Sequence, residues 1–426
     1  MMNLNERQSI AFKYLIKGYS MFITGDGGTG KSFVINAFIN YIGDKKQIAI
    51  TAPTGIAALN IGGVTIHRTF GLNAIPLVDT PIKIKETVKA IDILIMDEVS
   101  MCRIDLFEQV MKIILEMNKH RETPIQVILL GDFFQLAPVI TQSDRNILEQ
   151  FYGNKLGNGF AFQSPYWEQM KFICINLNQI VRQNDVQFVR ALNLARIGNK
   201  NCIPWINSNS CKMEIDGAIT LCGTNKRVKE RNYEELNKLP AEPKIYTAEQ
   251  WGQINASDKV VDDEIVLKKG CRVMTVLNDS KERYVNGSFG TVIDLVDEDT
   301  VRVKMDNGCN VDICRNTWSI EKYTVKYEEV NGKKKRKLKK ETIGEFKQIP
   351  LKLAYAITIH KSQGQTYDKV NFEPYCWDYG QLYVGLSRVR AIGGLFLEQS
   401  IKPEWLIASD DVKKFYRQNF KELSNI

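Results

Sequence analysis

The sequence predicts an α/β chain of two parallel-sheet modules, the second interrupted by a small antiparallel β-barrel or sheet. Three observations carry this reading. From Asn5 to Asn176, β-rich apolar runs alternate with helical runs, the pattern of a parallel sheet covered on both faces. The alternation starts again near Leu177 and resumes near Leu353. Between Cys271 and Ile349 the runs turn short and β-branched, separated by turn signals.

In chain order, Asn5–Lys17 reads as a helix stopped by Gly18, followed by a strand at Tyr19–Thr24. Phe33–Tyr41 reads as an amphipathic helix. Gln47–Thr51, Ile91–Met96, Ile125–Leu130 and Lys171–Asn176 read as strands, with the helix Ile104–Met117 among them. The first domain is set at residues 1–170, with a short insertion at about 64–81, and the second at 171–426. Helices are expected there at Asp185–Ile197, Lys226–Leu236 and Gln381–Val389, and strands at Ala218–Cys222, Ala354–Ile359 and Lys369–Phe372. The inserted β region is set at about 271–349, with turns at Val285-Asn286-Gly287, Asp306-Asn307-Gly308 and Val330-Asn331-Gly332. Within it, Lys333–Lys340 carries seven basic residues. A solvated hairpin face, a phosphate-backbone contact and a targeting signal all fit that run.

Composition narrows the function classes. With 426 residues and 44% hydrophobic content the chain can bury more than one core. No apolar stretch reaches membrane-span length, and the first residues lack a signal peptide's apolar core, so a soluble, cytoplasmic protein without membrane contact is expected. Nine scattered cysteines and three histidines argue for reduced thiols rather than a zinc site. The formal charge of +8 permits a polyanionic partner without requiring one.

The chemistry concentrates in three places. Gly25-Asp26-Gly27-Gly28-Thr29-Gly30-Lys31-Ser32 fits the phosphate-loop pattern G-x-x-x-x-G-K-[ST], lying between a strand and a helix as that pattern requires. Its glycines let backbone N–H groups wrap a phosphate, and the helix N-terminus adds positive charge. Lys31 would reach the terminal phosphates and the Ser32 hydroxyl would ligate Mg²⁺. The second place is the strand Ile91–Met96, which runs into Asp97 and Glu98, suited to hold hydrated Mg²⁺ and to act as general base on a water. Third, the strand Ile125–Leu130 runs into Gly131-Asp132-Phe133-Phe134-Gln135. Neighbouring parallel strands open into one crevice, which places Gln135 to sense a γ-phosphate or orient water.

With Asp97-Glu98-Val99-Ser100-Met101 and Gly131-Asp132-x-x-Gln135-Leu136-x-Pro138, the chain resembles superfamily-one helicases. Further matches resemble the petite-integration-frequency (Pif) group, relatives of the RecD and Dda helicases. These are Leu4-Asn5-x-x-Gln8, Ala52-Pro53-Thr54-Gly55 and Thr65-Ile66-His67-Arg68-Thr69-Phe70. Leu177–Gln183, Val285–Gly290, Thr358–Thr366 and Tyr383-Val384-Gly385-Leu386-Ser387-Arg388 follow in family order, spanning nearly the whole chain.

The resemblance implies two RecA-like domains with ATP in the cleft between them. It also implies a DNA-stimulated ATPase that moves 5′-to-3′ on single-stranded DNA and unwinds forked or partial duplexes. Gln8 matches the family's adenine-recognising glutamine, and Gly364 falls among its nucleotide-site positions. Arg182 and Arg388 match the two arginines that the second domain contributes to the phosphates. DNA contacts map to Pro53, Thr54 and His67 in the first domain, and to Thr358, His360, Lys361 and Ser362 in the second. Phe70, Tyr284 and Trp318 are open candidates for stacking a base, and the 64–81 insertion and the β region for splitting the fork. Action as a monomer and on four-stranded guanine structures are expectations of the family alone.

The sequence departs from the family at Gly27-Gly28 and at Gly385, where alanine is usual. Without a long N-terminal extension, the chain reads as a compact microbial-type core. A binding switch that clamps nucleic acid without moving, and an RNA-directed helicase, are rival readings; a small-molecule kinase would need neither the second domain nor its arginines.

Overall fold

A computed structural model describes residues 4–73, 76–178, 185–330 and 333–420. Six strands form a wholly parallel first sheet: β1 (Met21–Gly25), β2 (Ile48–Ala52), β3 (Val64–Thr65), β4 (Ile93–Met96), β5 (Gln126–Leu130) and β6 (Ile173–Leu177). Their order is β3-β2-β4-β5-β1-β6. β1, β4 and β5 are buried along their full length, as a sheet covered on both faces requires. β6 pairs with β1 from Met21↔Ile173 to Gly25↔Leu177, so the first sheet continues past residue 170. The 64–81 segment supplies the edge strand β3 and the helix Ile66–Phe70, whose Ile66 and Phe70 enter the core.

A second parallel sheet orders Ala356–Thr358, Ile219–Cys222, Val370–Phe372 and Leu395–Leu397. Its core gathers Phe188, Leu192, Leu221, Phe372 and Val384, and admits Leu136 from the loop after β5. The chain then returns to the first domain. Helix Asp410–Asn419 places Phe415 and Tyr416 among Phe22, Phe133 and Trp167. No helix among the described residues is long and apolar enough to cross a membrane.

The inserted β region is wider than 271–349. Strands Lys244–Thr247 and Glu264–Leu267 pair, and Tyr246 and Leu267 share one core with Val273, Val301, Phe346 and Leu351. Five antiparallel strands, from Arg272–Thr275 to Leu351–Leu353, form its main sheet. The Asp306-Asn307-Gly308 turn is formed, with Met305 N donating to Cys309 O at 2.8 Å. A long ribbon, Asn316–Val330 with Lys333–Gln348, runs from Asn316↔Gln348 to Val330↔Lys333; Asn331 and Gly332 lie outside the described residues.

This β region docks on the first domain. Ile50 N on β2 donates to Tyr323 Oη at 3.1 Å, Arg68 pairs with Asp258 at 2.6 Å, and Lys340 Nζ donates to Gly62 O at 2.6 Å. Lys340 thus has a protein partner, while the side chains at 333–338 lie outside those described.

The departure at Gly385 has a packing cause. A Cβ there would stand 2.4 Å from the Phe372 ring, so the bulk lacking at 385 is supplied at 372. Gly385→Ala is expected to lower unfolding stability by about 1–3 kcal/mol through overpacking, and Phe372→Leu to restore part of it. Urea unfolding followed by tryptophan fluorescence checks both.

Candidate active site

β1 delivers the chain into the phosphate loop and the helix Lys31–Ile42 takes it away. Gly28 and Gly30 have φ of 84° and 83°, and Gly30 caps the helix, a conformation that favours glycine. A Cβ on Gly30 would also strike Gln8 Nε2 at 2.5 Å. Gln8 is the third residue of its helix and closes a capping box with Asn5. Its Nε2 donates to Thr29 O at 3.2 Å, so it abuts the loop directly. Gly25 and Thr29 are buried at the loop's base, and Gly27 and Gly28 are half-buried. Lys31 Nζ folds back to Gly25 O at 2.7 Å and Asp26 O at 3.2 Å.

β4 ends at Asp97 and Glu98. Asp97 Oδ1 accepts from Glu98 N at 2.9 Å, and Glu98 adopts a left-handed conformation with φ 49° and ψ 44°. For a non-glycine residue this conformation costs about 1–3 kcal/mol and is a mark of functional sites. Burial, and then the neighbouring Asp97, push the Glu98 carboxyl up to about 7, against the pull of Lys31, Arg388 and Gln363. Burial likewise raises Asp97 and lowers the Lys31 ammonium, although Asp132, Glu98, Asp26 and Asp97 all favour the lysine's charge. A carboxyl poised near neutrality is suited to accept a proton from water.

The second domain closes over this floor. Gln363 Nε2 reaches Glu98 Oε2 at 2.9 Å and Gln135 Oε1 at 3.3 Å. Gly380 lies against the backbone carbonyls of Phe134 and Gln135, where a Cβ would come within 2.5 Å of either. Arg388 is fully buried and faces its own domain. It donates to Val384 O at 2.8 Å, Ser362 O at 3.2 Å and Gln365 O at 3.1 Å, and its charge still acts on Glu98. Arg182 lies outside the described residues.

The local pattern around Arg196 does not mark it, yet it spans the domains. From helix Val186–Arg196 its guanidinium meets Asp132 at 3.0 and 2.9 Å and the phosphate-loop Asp26 at 2.8 Å. Phe134 and Tyr416 flank it at 4.5 and 5.4 Å. Tyr416 Oη in turn touches Asp132 at 3.1 Å and Thr24 Oγ1 at 2.6 Å. No sequence signal short of three-dimensional pairing identifies Arg196; Gln363 lies within the Thr358–Thr366 motif, but only the fold aims it at Glu98.

A cavity of about 2310 Å³ runs between the domains and the β region. Ser32, Asp97 and Glu98 line it, as do Gln363 and Gly364. Of the mapped strand contacts, Thr54, His360 and Lys361 also line it. Thr358 and Ser362 are buried: Thr358 Oγ1 accepts from Lys361 N at 3.2 Å, and Ser362 Oγ donates to Ile359 O at 2.7 Å. Those hydroxyls shape the turn that presents His360 and Lys361. Pro53 and His67 are half-buried outside the lining, and burial, then Arg103, lowers the His67 pKa. Phe70 and Tyr284 are buried in cores, whereas Trp318 lines the cavity.

The geometry fits a nucleoside triphosphate and a hard cation. Ser32 and Asp97 offer two oxygen donors, the small protein share expected where phosphates and water complete a Mg²⁺ shell. The family profile described as PIF1-like helicase matches residues 3–202. The ATP-dependent DNA helicase Pif1 of Campylobacter jejuni is 30% identical over 408 residues, covering 87% of this chain and 86% of the relative. A crystal structure of Bacteroides sp. Pif1 in complex with ADP-AlF4 superposes with a TM-score of 0.84 at 31% identity, covering 99% of this chain and 98% of that one. Bacteroides Pif1 bound to ssDNA gives 0.70 at 30% identity, covering 100% and 99%.

Two substitutions separate holding the triphosphate from cleaving it. Glu98→Gln is expected to lower turnover by about 10²–10⁴-fold with nucleotide affinity retained. Lys31→Ala is expected to lower turnover by at least about 10²-fold and to weaken binding as well. Phosphate release and titration with a fluorescent nucleotide distinguish the two patterns.

Proposed function

Because this chain belongs to the PIF1-like helicase family, we propose that it is an ATP-dependent DNA helicase moving 5′-to-3′ along single-stranded DNA. The observation that carries the reading is the shared cleft. The nucleotide groups Ser32, Asp97 and Glu98 and the strand candidates Thr54, His360 and Lys361 line one cavity, and residues of both domains meet across it.

In the working cycle, Lys31 leaves the carbonyls of Gly25 and Asp26 for the incoming phosphates. Ser32 and Asp97 would hold Mg²⁺, which when bound neutralises phosphate charge. Gln135 orients the attacking water and Glu98 takes its proton. Gln8, fixed against Thr29, borders the base end of the site. Arg388, with Arg182 from outside the described residues, brings positive charge to the phosphates as the cleft closes. Such arginines are worth about 10³–10⁵ in rate.

Thr54 on one side and His360 and Lys361 on the other grip the strand's backbone. Backbone contacts hold without reading sequence. Motion requires that the two grips tighten and loosen out of phase with cleft closure, since only differential affinity shifts a population. Trp318, on the cavity wall, is the stacking candidate best placed of the three.

Hydrolysis should rise strongly on adding single-stranded DNA, and a duplex with a 5′ overhang should be unwound while one with a 3′ overhang is not. Hydrolysis indifferent to DNA would sink the reading in favour of a plain NTPase. Preference for matched RNA would redirect it to an RNA helicase. The logarithm of the DNA-binding constant should fall linearly with the logarithm of salt concentration.

A further inference from the structure

The turn that carries the second domain's strand contacts also carries Gln363. Lys361 N is held by Thr358 Oγ1 at 3.2 Å, Ser362 N by Thr358 O at 3.1 Å, and Gln363 N by His360 O at 3.2 Å. Arg388 braces the same turn through the carbonyls of Ser362 and Gln365. Residues 358–365 therefore form one stiff unit, with His360 and Lys361 on the cavity and Gln363 two positions further on. From that unit the Gln363 amide crosses to the first domain, donating to Glu98 Oε2 at 2.9 Å and Gln135 Oε1 at 3.3 Å. Its own Oε1 is buried and has no hydrogen-bond partner among the described residues. A buried amide oxygen without a partner is costly and calls for a donor at some stage of the cycle.

We propose that Gln363 is a positioning residue that couples strand binding to hydrolysis: a strand seated on His360 and Lys361 fixes the 358–365 turn, and the turn holds Glu98 and Gln135 in register through the Gln363 amide. Glu98 needs such a restraint, because its left-handed backbone does not by itself fix the carboxylate. The amide contributes two things that a well-packed apolar residue would not: a donor to Glu98 and Gln135, and an acceptor left for the attacking water. Fixing a base and a water in attack geometry is a large part of enzymatic rate, and a misplacement of about 1 Å is enough to lose about 10²-fold.

The inference rests on the helicase reading, and one experiment separates their failures. ATP turnover is measured with and without oligo-dT for the full chain, Gln363→Ala and Gln363→Glu, together with ATP KM and oligo-dT affinity by fluorescence anisotropy. Expected for Gln363→Ala is a fall in DNA-stimulated kcat of about tenfold or more, with KM and oligo-dT affinity within about twofold. Gln363→Glu preserves the shape of the side chain but sets a carboxylate against Glu98. Coupling through the amide predicts that it does as badly as alanine or worse. A purely structural role predicts that the isosteric glutamate is the milder change.

Wild-type protein indifferent to oligo-dT would overturn the helicase reading itself. Stimulated wild type with full stimulation in Gln363→Ala, or an active Gln363→Glu, would overturn the coupling role alone. A loss of turnover that follows a matching loss of oligo-dT affinity would overturn it too.

Discussion

The placement of the second domain depends on one buried guanidinium. Arg196 is held by Asp132 at 2.9 Å and by Asp26 of the phosphate loop at 2.8 Å, in a site almost without solvent. A buried charge must be paired, and one that loses its partners costs several kcal/mol. The pairing therefore fixes where helix Val186–Arg196 meets the first sheet. Such a cluster contributes registry more than net stability, because desolvation offsets much of its Coulomb energy. Tyr416 adds the returning C-terminal helix to the same point through Asp132 and Thr24, so three distant segments converge behind the phosphate loop.

From that anchor the rest of the cleft follows. With the second domain in register, Gly380 can lie on the carbonyls of Phe134 and Gln135, and Gln363 can span to Glu98. Four carboxylates, Asp132, Glu98, Asp26 and Asp97, act on the single ammonium of Lys31. A polyphosphate entering this field needs added positive charge. The cation that Ser32 and Asp97 would hold, together with the closing arginines, would supply that charge. The raised Glu98 carboxyl belongs to the same picture, as burial and Asp97 disfavour its ionised form.

Much of this was legible in the sequence, for reasons that differ by element. The parallel strands read cleanly because each is an apolar run flanked by turn residues, and the phosphate loop because its glycines and Lys31 are demanded by backbone geometry. The strand Lys171–Asn176 closes the first alternation, and β6 pairs there with Met21–Gly25; a domain boundary at 170 divides it from that sheet, because local pattern marks a strand more sharply than it marks where a domain ends. Lys244–Thr247 lies outside the β region set from sequence because it buries only one side chain fully, Tyr246, and leaves its other apolar residue, Ile245, exposed. Arg196 and Gln363 each act on the opposite domain: nothing beside Arg196 in sequence records that, and the motif around Gln363 does not say that its amide reaches Glu98. Ser362 shows the converse, a motif serine whose hydroxyl turns inward to Ile359 O.

The central claim is that Arg196 sets the register on which hydrolysis depends. The direct measurement is DNA-stimulated ATP turnover by Arg196→Lys, with a thermal melt of the same protein in parallel. Lysine keeps the charge but lacks the fork that reaches Asp132 and Asp26 together. The account predicts turnover lowered by about 10²-fold in protein that is still folded at the assay temperature. Wild-type turnover from folded Arg196→Lys would contradict it.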